Sequence, residues 1–285
     1  MTSVGIIIPY FGKWPFWFNL FLKSCEPNKN FNWIFYTDCG VPKWYPENVT
    51  FIEITFNEYK KKVSESLNIN FNPERAYKIC DLRPAFGHIH KKDIEEYDFY
   101  GYGDIDVIYG DLNIFFTEEK FKKFNILSSH YRRLCGHLCL FKNTEEVRSI
   151  YLQIKNWKTQ MEDKQHFSVD EKAFSDLFVH HKNLPPFIRK FTNKFYKLAK
   201  TVSFEEAYST PNAKLPWHDG TKVYPEVWHY NKGHLTNSKD GAREFAYLHF
   251  MSWKQNNWDK LENIVSNINP LLSDSWHISS SGFHK

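Results

Sequence analysis

Two carboxylates separated by one residue, Asp104 and Asp106, follow the aromatic stretch 97–102 and Gly103 and precede Val107, Ile108 and Tyr109. In an extended chain, residues at i and i+2 project to the same face. Two such carboxylates repel unless a cation sits between them, and Mg²⁺ or Mn²⁺ takes oxygen ligands while keeping positions open for substrate phosphates. Gly101, Gly103 and Gly110 flank the pair and let backbone approach a bulky ligand closely. The spacing points to a site for a divalent ion and a diphosphate, although Asp-x-Asp by itself is also ordinary solvated turn chemistry.

The elements that must position this pair read as a parallel α/β sheet. Residues 4–12 are a short apolar run closed by Pro and Gly, the pattern of a strand buried on both faces. Apolar residues at helical spacing follow in Trp14, Phe18, Phe21, Leu22 and Cys25, then a second strand at 31–38 ending in Asp38 and a third at 49–54. Open sheets of this kind bind ligands at the carboxyl ends of their strands, which places Pro9, Tyr10, Phe11 and Asp38 near one crevice. No Gly-x-Gly-x-x-Gly and no Gly-x-x-x-x-Gly-Lys-Ser/Thr follows any strand, so dinucleotide and P-loop readings lose their main support.

Residues 56–75 are polar and predict a surface helix and loop. Residues 75–87 combine basic groups, an acid and apolar spacing; Lys78, Asp81 and Arg83 can face a nucleotide sugar or form a solvated helix face, and Pro84 kinks or ends the helix. Beyond Asp111 the pattern predicts a charged helix at 117–124, strands at 126–129 and 136–143, an amphipathic helix at 145–160 and another beginning at 167, with Ser168 or Asp170 as its N-cap. Within 185–201, Phe187, Ile188, Phe191, Phe195 and Leu198 fall on one helical face, with Arg189, Lys190, Lys194, Lys197 and Lys200 around them. Such a helix can lie on an anionic membrane surface or pack its apolar face on a core. The Pro-, Trp-, His- and Gly-rich segment 208–241 reads as irregular loop around a site, and 279–285 as a frayed end.

Composition bounds the rest. A chain of 285 residues with 42% hydrophobic, 18% aromatic and 25% charged residues can bury one substantial core. Its net charge of +4 has lysines interleaved with acids and calls for no nucleic acid. Five scattered cysteines read as reduced thiols in a cytosolic protein; Cys135 and Cys139, with His137 between them, lack the second ligand pair of a zinc finger and are expected in a buried strand. No signal-peptide pattern and no apolar run long enough to span a bilayer is evident, so neither secretion by that route nor a membrane span is expected.

Taken together, the Ile-Ile-Ile-Pro-Tyr strand at 6–10, Tyr36-Thr37-Asp38, the Lys78-to-Gly87 segment and Gly103-to-Asp111 resemble the GT-A nucleotide-sugar glycosyltransferases, and most of all a poorly characterised bacterial group carrying Lys-x-Cys-Asp…Pro-Ala-x-Gly and Asp-x-Asp-Val-x-x-Gly-Asp. The resemblance covers residues 4–175 well and the C-terminus more weakly. It implies a mixed, mostly parallel α/β sheet flanked by helices, with a GT-A-like catalytic core at 1–180 and a C-terminal helical and loop extension at 181–285 packed on it as one domain. It also implies that Asp106 is a direct ligand of Mn²⁺ or Mg²⁺ and that Asp104 is a second ligand or a donor contact. His249 and Lys254 resemble the His-x-x-Gly-x-x-Lys segment of family 8 retaining enzymes, in which the histidine completes the metal shell and the lysine meets the phosphate. Here the lysine is one residue closer and the glycine is absent, and a buried structural histidine is the other reading of His249.

The activity implied is hexose transfer from a nucleotide-diphosphate sugar, with UDP as the expected nucleotide, to a saccharide or glycolipid acceptor in bacterial surface polysaccharide or lipooligosaccharide synthesis. The cysteines and the basic stretch at 186–201 place it in the cytoplasm or peripherally on the inner membrane face. Lys254 or Arg83 would stabilise charge on the departing diphosphate. Asp170 or Glu171 would serve as general base if the enzyme inverts, or orient the acceptor if it retains. A sugar nucleotidyltransferase is an alternative, but residues 5–14 poorly match its Gly-rich basic loop; a metal-dependent phosphoesterase would need more ligands. A non-catalytic carbohydrate-binding module is the third.

Overall fold

The apolar run near the N-terminus forms β1 (Val4–Tyr10), buried along its first five residues. It pairs in parallel with β2 (Phe31–Thr37) on one side and β4 (Phe99–Gly103) on the other. With β3 (Val49–Glu53), β6 (Ile126–Ser128), β7 (Leu138–Lys142) and β8 (Val202–Phe204), these build a seven-stranded sheet in the order β3-β2-β1-β4-β7-β6-β8. Only the β4–β7 and β7–β6 pairings are antiparallel. The fold is thus mixed α/β with a mostly parallel sheet flanked by helices. The structure is a computed structural model; it describes residues 1–179, 185, 187, 188, 191, 196–213, 215–256, 258 and 273–285.

Period-two alternation divides the side chains of β1 between two cores. Ile6 and Ile8 join Trp33 and Phe35 under α1 (Phe18–Cys25), which contributes Phe18, Phe21 and Leu22. Ile7 points the other way, into the cluster of Tyr36, Tyr102 and the apolar face of α2 (Phe56–Leu67), namely Tyr59, Val63 and Leu67. Each such side chain contributes about 1.5–3 kcal/mol on burial, so the sheet that aims the site is anchored from both faces. A capping box between Thr55 and Glu58 starts α2, and Asn68 in the left-handed conformation ends it.

Several sequence expectations change. The helix expected at 145–160 is broken into Glu145–Arg148, Ile150–Gln153 and Trp157–Glu162, and Asn156, with φ of 56°, forces the last break. The segment expected as irregular loop contains β9 (Val227–Asn231) and β10 (His234–Asn237), joined by Lys232 and Gly233, both at positive φ as a tight hairpin requires. The end expected to fray forms β12 (Ser275–Ser279) and β13 (Gly282–His284), which complete a four-stranded antiparallel sheet with β9 and β10. Trp228, Tyr230, Leu235, Trp276, Ile278 and Phe283 alternate onto its buried face, which explains why this end is ordered. Strand β7 begins at Leu138, so Cys135 and His137 lie in the preceding loop. All five cysteines are free thiols.

The two halves of the sequence interlock: β8 joins the main sheet, and β11 (Tyr247–His249) pairs antiparallel with β5 (Val107–Tyr109). Of the basic amphipathic stretch, Phe187 and Phe191 are exposed, while Arg189, Lys190, Lys194 and Phe195 lie outside the described residues. No described helix is long and apolar enough to cross a membrane.

Candidate active site

Asp104 and Asp106 occupy the short connection between β4 and β5, at the end of the sheet where β1 also finishes. Three backbone contacts hold that connection. The Asp104 N–H donates to the His137 carbonyl (3.0 Å), the Trp17 indole N–H to the Ile105 carbonyl (2.9 Å), and the Phe250 N–H to the Asp106 carbonyl (3.1 Å). The last bond extends the β5–β11 ladder, in which His249 stands opposite Val107. A pairing between distant parts of the chain thereby brings His249 beside Asp106, with Nε2 to Oδ1 at 3.7 Å.

One ligand atom each from Asp104, Asp106 and His249 lies within 4.8 Å of the others. Burial presses His249 down to about 4, so its ring is neutral at physiological pH; Asp106 pulls in the opposite direction but does not prevail. Thr210 Oγ1 lies 3.2 Å from His249 Nδ1, whereas the buried Nε2 has no hydrogen-bond partner among the described residues. A buried imidazole nitrogen without a proton partner, aimed at two carboxylates, fits a divalent cation. Burial raises the Asp104 carboxyl to about 6, against the pull of Arg83 and with the help of neighbouring Asp106. Asp106 is also buried, yet His249 and Lys254 hold it below its ordinary range. Lys254 Nζ lies 2.5 Å from Asp106 Oδ2 and supplies positive charge there.

These groups open into a cleft of about 540 Å³. Pro9, Tyr10 and Phe11 form its wall at the end of β1, as the strand-end rule predicts. Arg83, nearly buried, pairs with Asp104 through one guanidinium nitrogen and with Asp170 through the other at 2.9 Å. Glu171 meets Arg133 at 2.8 Å, and burial raises its carboxyl above the ordinary value. Four carboxylates (Asp104, Asp106, Asp170 and Glu171) thus line the cleft against Arg83, Lys254 and the Arg133 paired with Glu171, leaving an excess negative charge that a cation would balance.

Three sequence candidates are placed elsewhere. Lys78 and Asp81 form a buried ion pair of 3.0 Å away from the cleft lining. Lys78 also donates to the carbonyls of Gln160 and Gln165, and Asp81 accepts the N–H groups of Phe167 and Val169, so the pair ties down the segment that leads into Asp170. Both side chains are buried, so the solvated helix face expected of them is not formed, and neither lines the cleft. Asp38 accepts the Gly12 N–H at 2.8 Å and shapes the turn after β1 without lining the cleft.

Asp170 was one N-cap candidate; the other, Ser168, lies in the left-handed region with φ of 54°. Instead, Asp170 lies inside the single wide turn Asp170–Phe174. Sequence reasoning missed Tyr77, His137 and His166 on the cleft wall. His137 stacks on His249 with ring centroids 3.9 Å apart, and its Nε2 lies 2.9 Å from the Tyr247 hydroxyl. The only local signal for it was its place between two cysteines, which points to zinc instead.

Comparison with protein families gives a match over residues 6–275 to the model described as "Family of unknown function (DUF6625)". The chain belongs to this family. No curated protein sequence matches it. Among solved structures, the DUF6625 chain is similar to the galactosyltransferase LgtC in complex with donor and acceptor sugar analogues, at 12% identity over 87% of each chain and a TM-score of 0.42. It is also similar to mouse xyloside xylosyltransferase 1 in its apo form, at 11% identity over 74% of this chain and 86% of that one, with a TM-score of 0.38. A third similarity is to the glycosyltransferase GlyE of Streptococcus pneumoniae TIGR4, at 11% identity over 73% of this chain and 46% of that one, with a TM-score of 0.33. All three overlaps fall below a TM-score of 0.5, and the functional reading below is built on this family member's own residues.

Proposed function

We propose that the chain is a metal-dependent glycosyltransferase of GT-A type that moves a hexose from a nucleotide-diphosphate sugar to a saccharide or glycolipid acceptor. The observation that carries this reading is the convergence of Asp104, Asp106 and His249, with Lys254 beside them, in a cleft at the carboxyl end of β1. UDP as the nucleotide, the hexose and the role in bacterial surface polysaccharide or lipooligosaccharide assembly follow the sequence resemblance; a cytoplasmic location, free or peripheral on the inner membrane face, follows the reduced cysteines and the basic amphipathic stretch at 186–201.

Asp104, Asp106 and His249 would hold Mn²⁺ or Mg²⁺, and the imidazole ligand favours Mn²⁺ of the two. A bound ion would neutralise charge that develops on the departing diphosphate. Lys254 adds a fixed positive charge at the same place, and in a low-dielectric cleft such preset charge costs no reorganisation during reaction. Pro9, Tyr10 and Phe11 offer an apolar and aromatic wall for a nucleoside. Arg83 keeps Asp104 and Asp170 at fixed separation. Asp170 and Glu171 face the acceptor side, as base for an inverting reaction or as acceptor anchors for a retaining one. Tyr77, 67% exposed at the cleft wall, presents a ring on which a sugar can stack.

The test is to incubate the protein with UDP- and GDP-sugars and Mn²⁺ and measure nucleoside diphosphate release with and without chelator. Chelator-sensitive release from one donor supports the transferase. Release of pyrophosphate from a nucleoside triphosphate and a sugar phosphate would instead make the chain a nucleotidyltransferase.

A further inference from the structure

The four-stranded C-terminal sheet has a buried face of aromatic and aliphatic residues, and its outer face is unusual. Exposed sheet faces and edges ordinarily carry charged residues that keep them soluble and unpaired. The strands β9, β10, β12 and β13 contain no Lys, Arg, Asp or Glu. Register instead aligns three histidines in one row: His229 of β9 stands opposite His277 of β12, and His277 opposite His284 of β13. Opposed residues in antiparallel pairs project to the same face, with Cβ atoms about 4.5–5.5 Å apart.

Two of the three side chains meet. His229 Nδ1 and His277 Nδ1 lie 2.6 Å apart, with the rings nearly perpendicular at 88°. At this distance one ring donates an N–H to the other, because two lone pairs or two N–H groups would repel. His277 and His284 are exposed, and His284 Nε2 lies 3.1 Å from Ser281 Oγ and 3.3 Å from Ser279 Oγ, contacts a surface side chain exchanges readily.

We propose that His229, His277 and His284 form a site for a zinc-like transition-metal ion, separate from the cleft. Three imidazoles with a position open to water match the ligand set such ions take, and the all-nitrogen donors select against Mg²⁺ and Ca²⁺. The ion would clip the last strand of the chain to β12 and β9.

The test uses tag-free protein carrying Asp106→Ala and His249→Ala, which removes two of the cleft's three proposed ligands, titrated calorimetrically with Zn²⁺ in a non-chelating buffer. The expected result is one ion per chain, with affinity reduced at least about tenfold by His277→Asn and by His284→Asn, since loss of even an outer-shell partner costs about 10–100-fold. Absence of binding, or affinity unchanged by either substitution, would overturn the proposal. His284→Asn, at an exposed position on β13, decides the matter if His277→Asn does not fold by circular dichroism.

Discussion

His249 Nε2 lies 3.7 Å from Asp106 Oδ1 because β11 is paired with β5, and that buried nitrogen has no hydrogen-bond partner among the described residues. The Nδ1 of His249 meets Thr210, which leaves Nε2, the nitrogen beside Asp106, to face an ion. His249→Ala is therefore expected to weaken Mn²⁺ binding at least about tenfold while the protein stays folded. Mn²⁺ titration followed by electron paramagnetic resonance measures this, and unchanged affinity would return His249 to a packing role.

Lys78 and Asp81 separate a structural from a ligand-binding assignment. Both are almost wholly buried, and removing one member of a buried pair leaves an uncompensated charge. Asp81→Ala should cost about 3–5 kcal/mol in urea unfolding. Nucleotide affinity of the fraction that remains folded should fall little, and a selective loss of affinity at unchanged stability would contradict the placement.

Much of the site's framework was legible in the sequence because it is local. The apolar run of β1, the strand ending in Asp38 and the Asp-x-Asp connection are each written in adjacent residues. The C-terminal sheet was not, because its strands are short and its pairings join residues far apart: Trp228 and Tyr230 alternate with polar neighbours, but their partners Trp276 and Ile278 lie beyond a long intervening segment. Lys78 and Asp81 were misplaced for a related reason, since their partners at 160–169 are distant in sequence. A left-handed Asn156, which breaks the helix expected at 145–160, has no signature in hydrophobic period.

Acid should destabilise the fold through His90. This residue is fully buried, with Nε2 3.0 Å from the Tyr59 hydroxyl, and burial lowers it to about 4. Between about 6.5 and about 4 the unfolded chain binds a proton that the folded chain refuses, so stability falls as pH drops through this window. The loss by pH 4 is on the order of 3 kcal/mol from this one group. Melting temperatures of wild type and His90→Gln at pH 7.5 and 4.5 should show a smaller pH slope in the variant, and equal slopes would remove His90 as the cause.

Arg83 bridges two carboxylates, Asp104 beside the proposed ion and Asp170 on the proposed acceptor side. Arg83→Met should lower turnover by about 10²-fold, in the range of losses for a positioned charged group, with donor KM changed less than kcat. Steady-state kinetics with the donor found in the release assay checks this; a change confined to KM would mark Arg83 as a donor-binding group instead.

The central claim is tested most directly by calorimetric titration of UDP and GDP, with and without Mn²⁺, on wild type and on Asp106→Ala. The account predicts metal-dependent binding of one nucleotide by the wild type and none by the variant, with both proteins folded alike. Binding of neither nucleotide by a folded wild type, or equal binding with and without metal in both proteins, would contradict a metal-dependent nucleotide-sugar site at Asp104, Asp106 and His249.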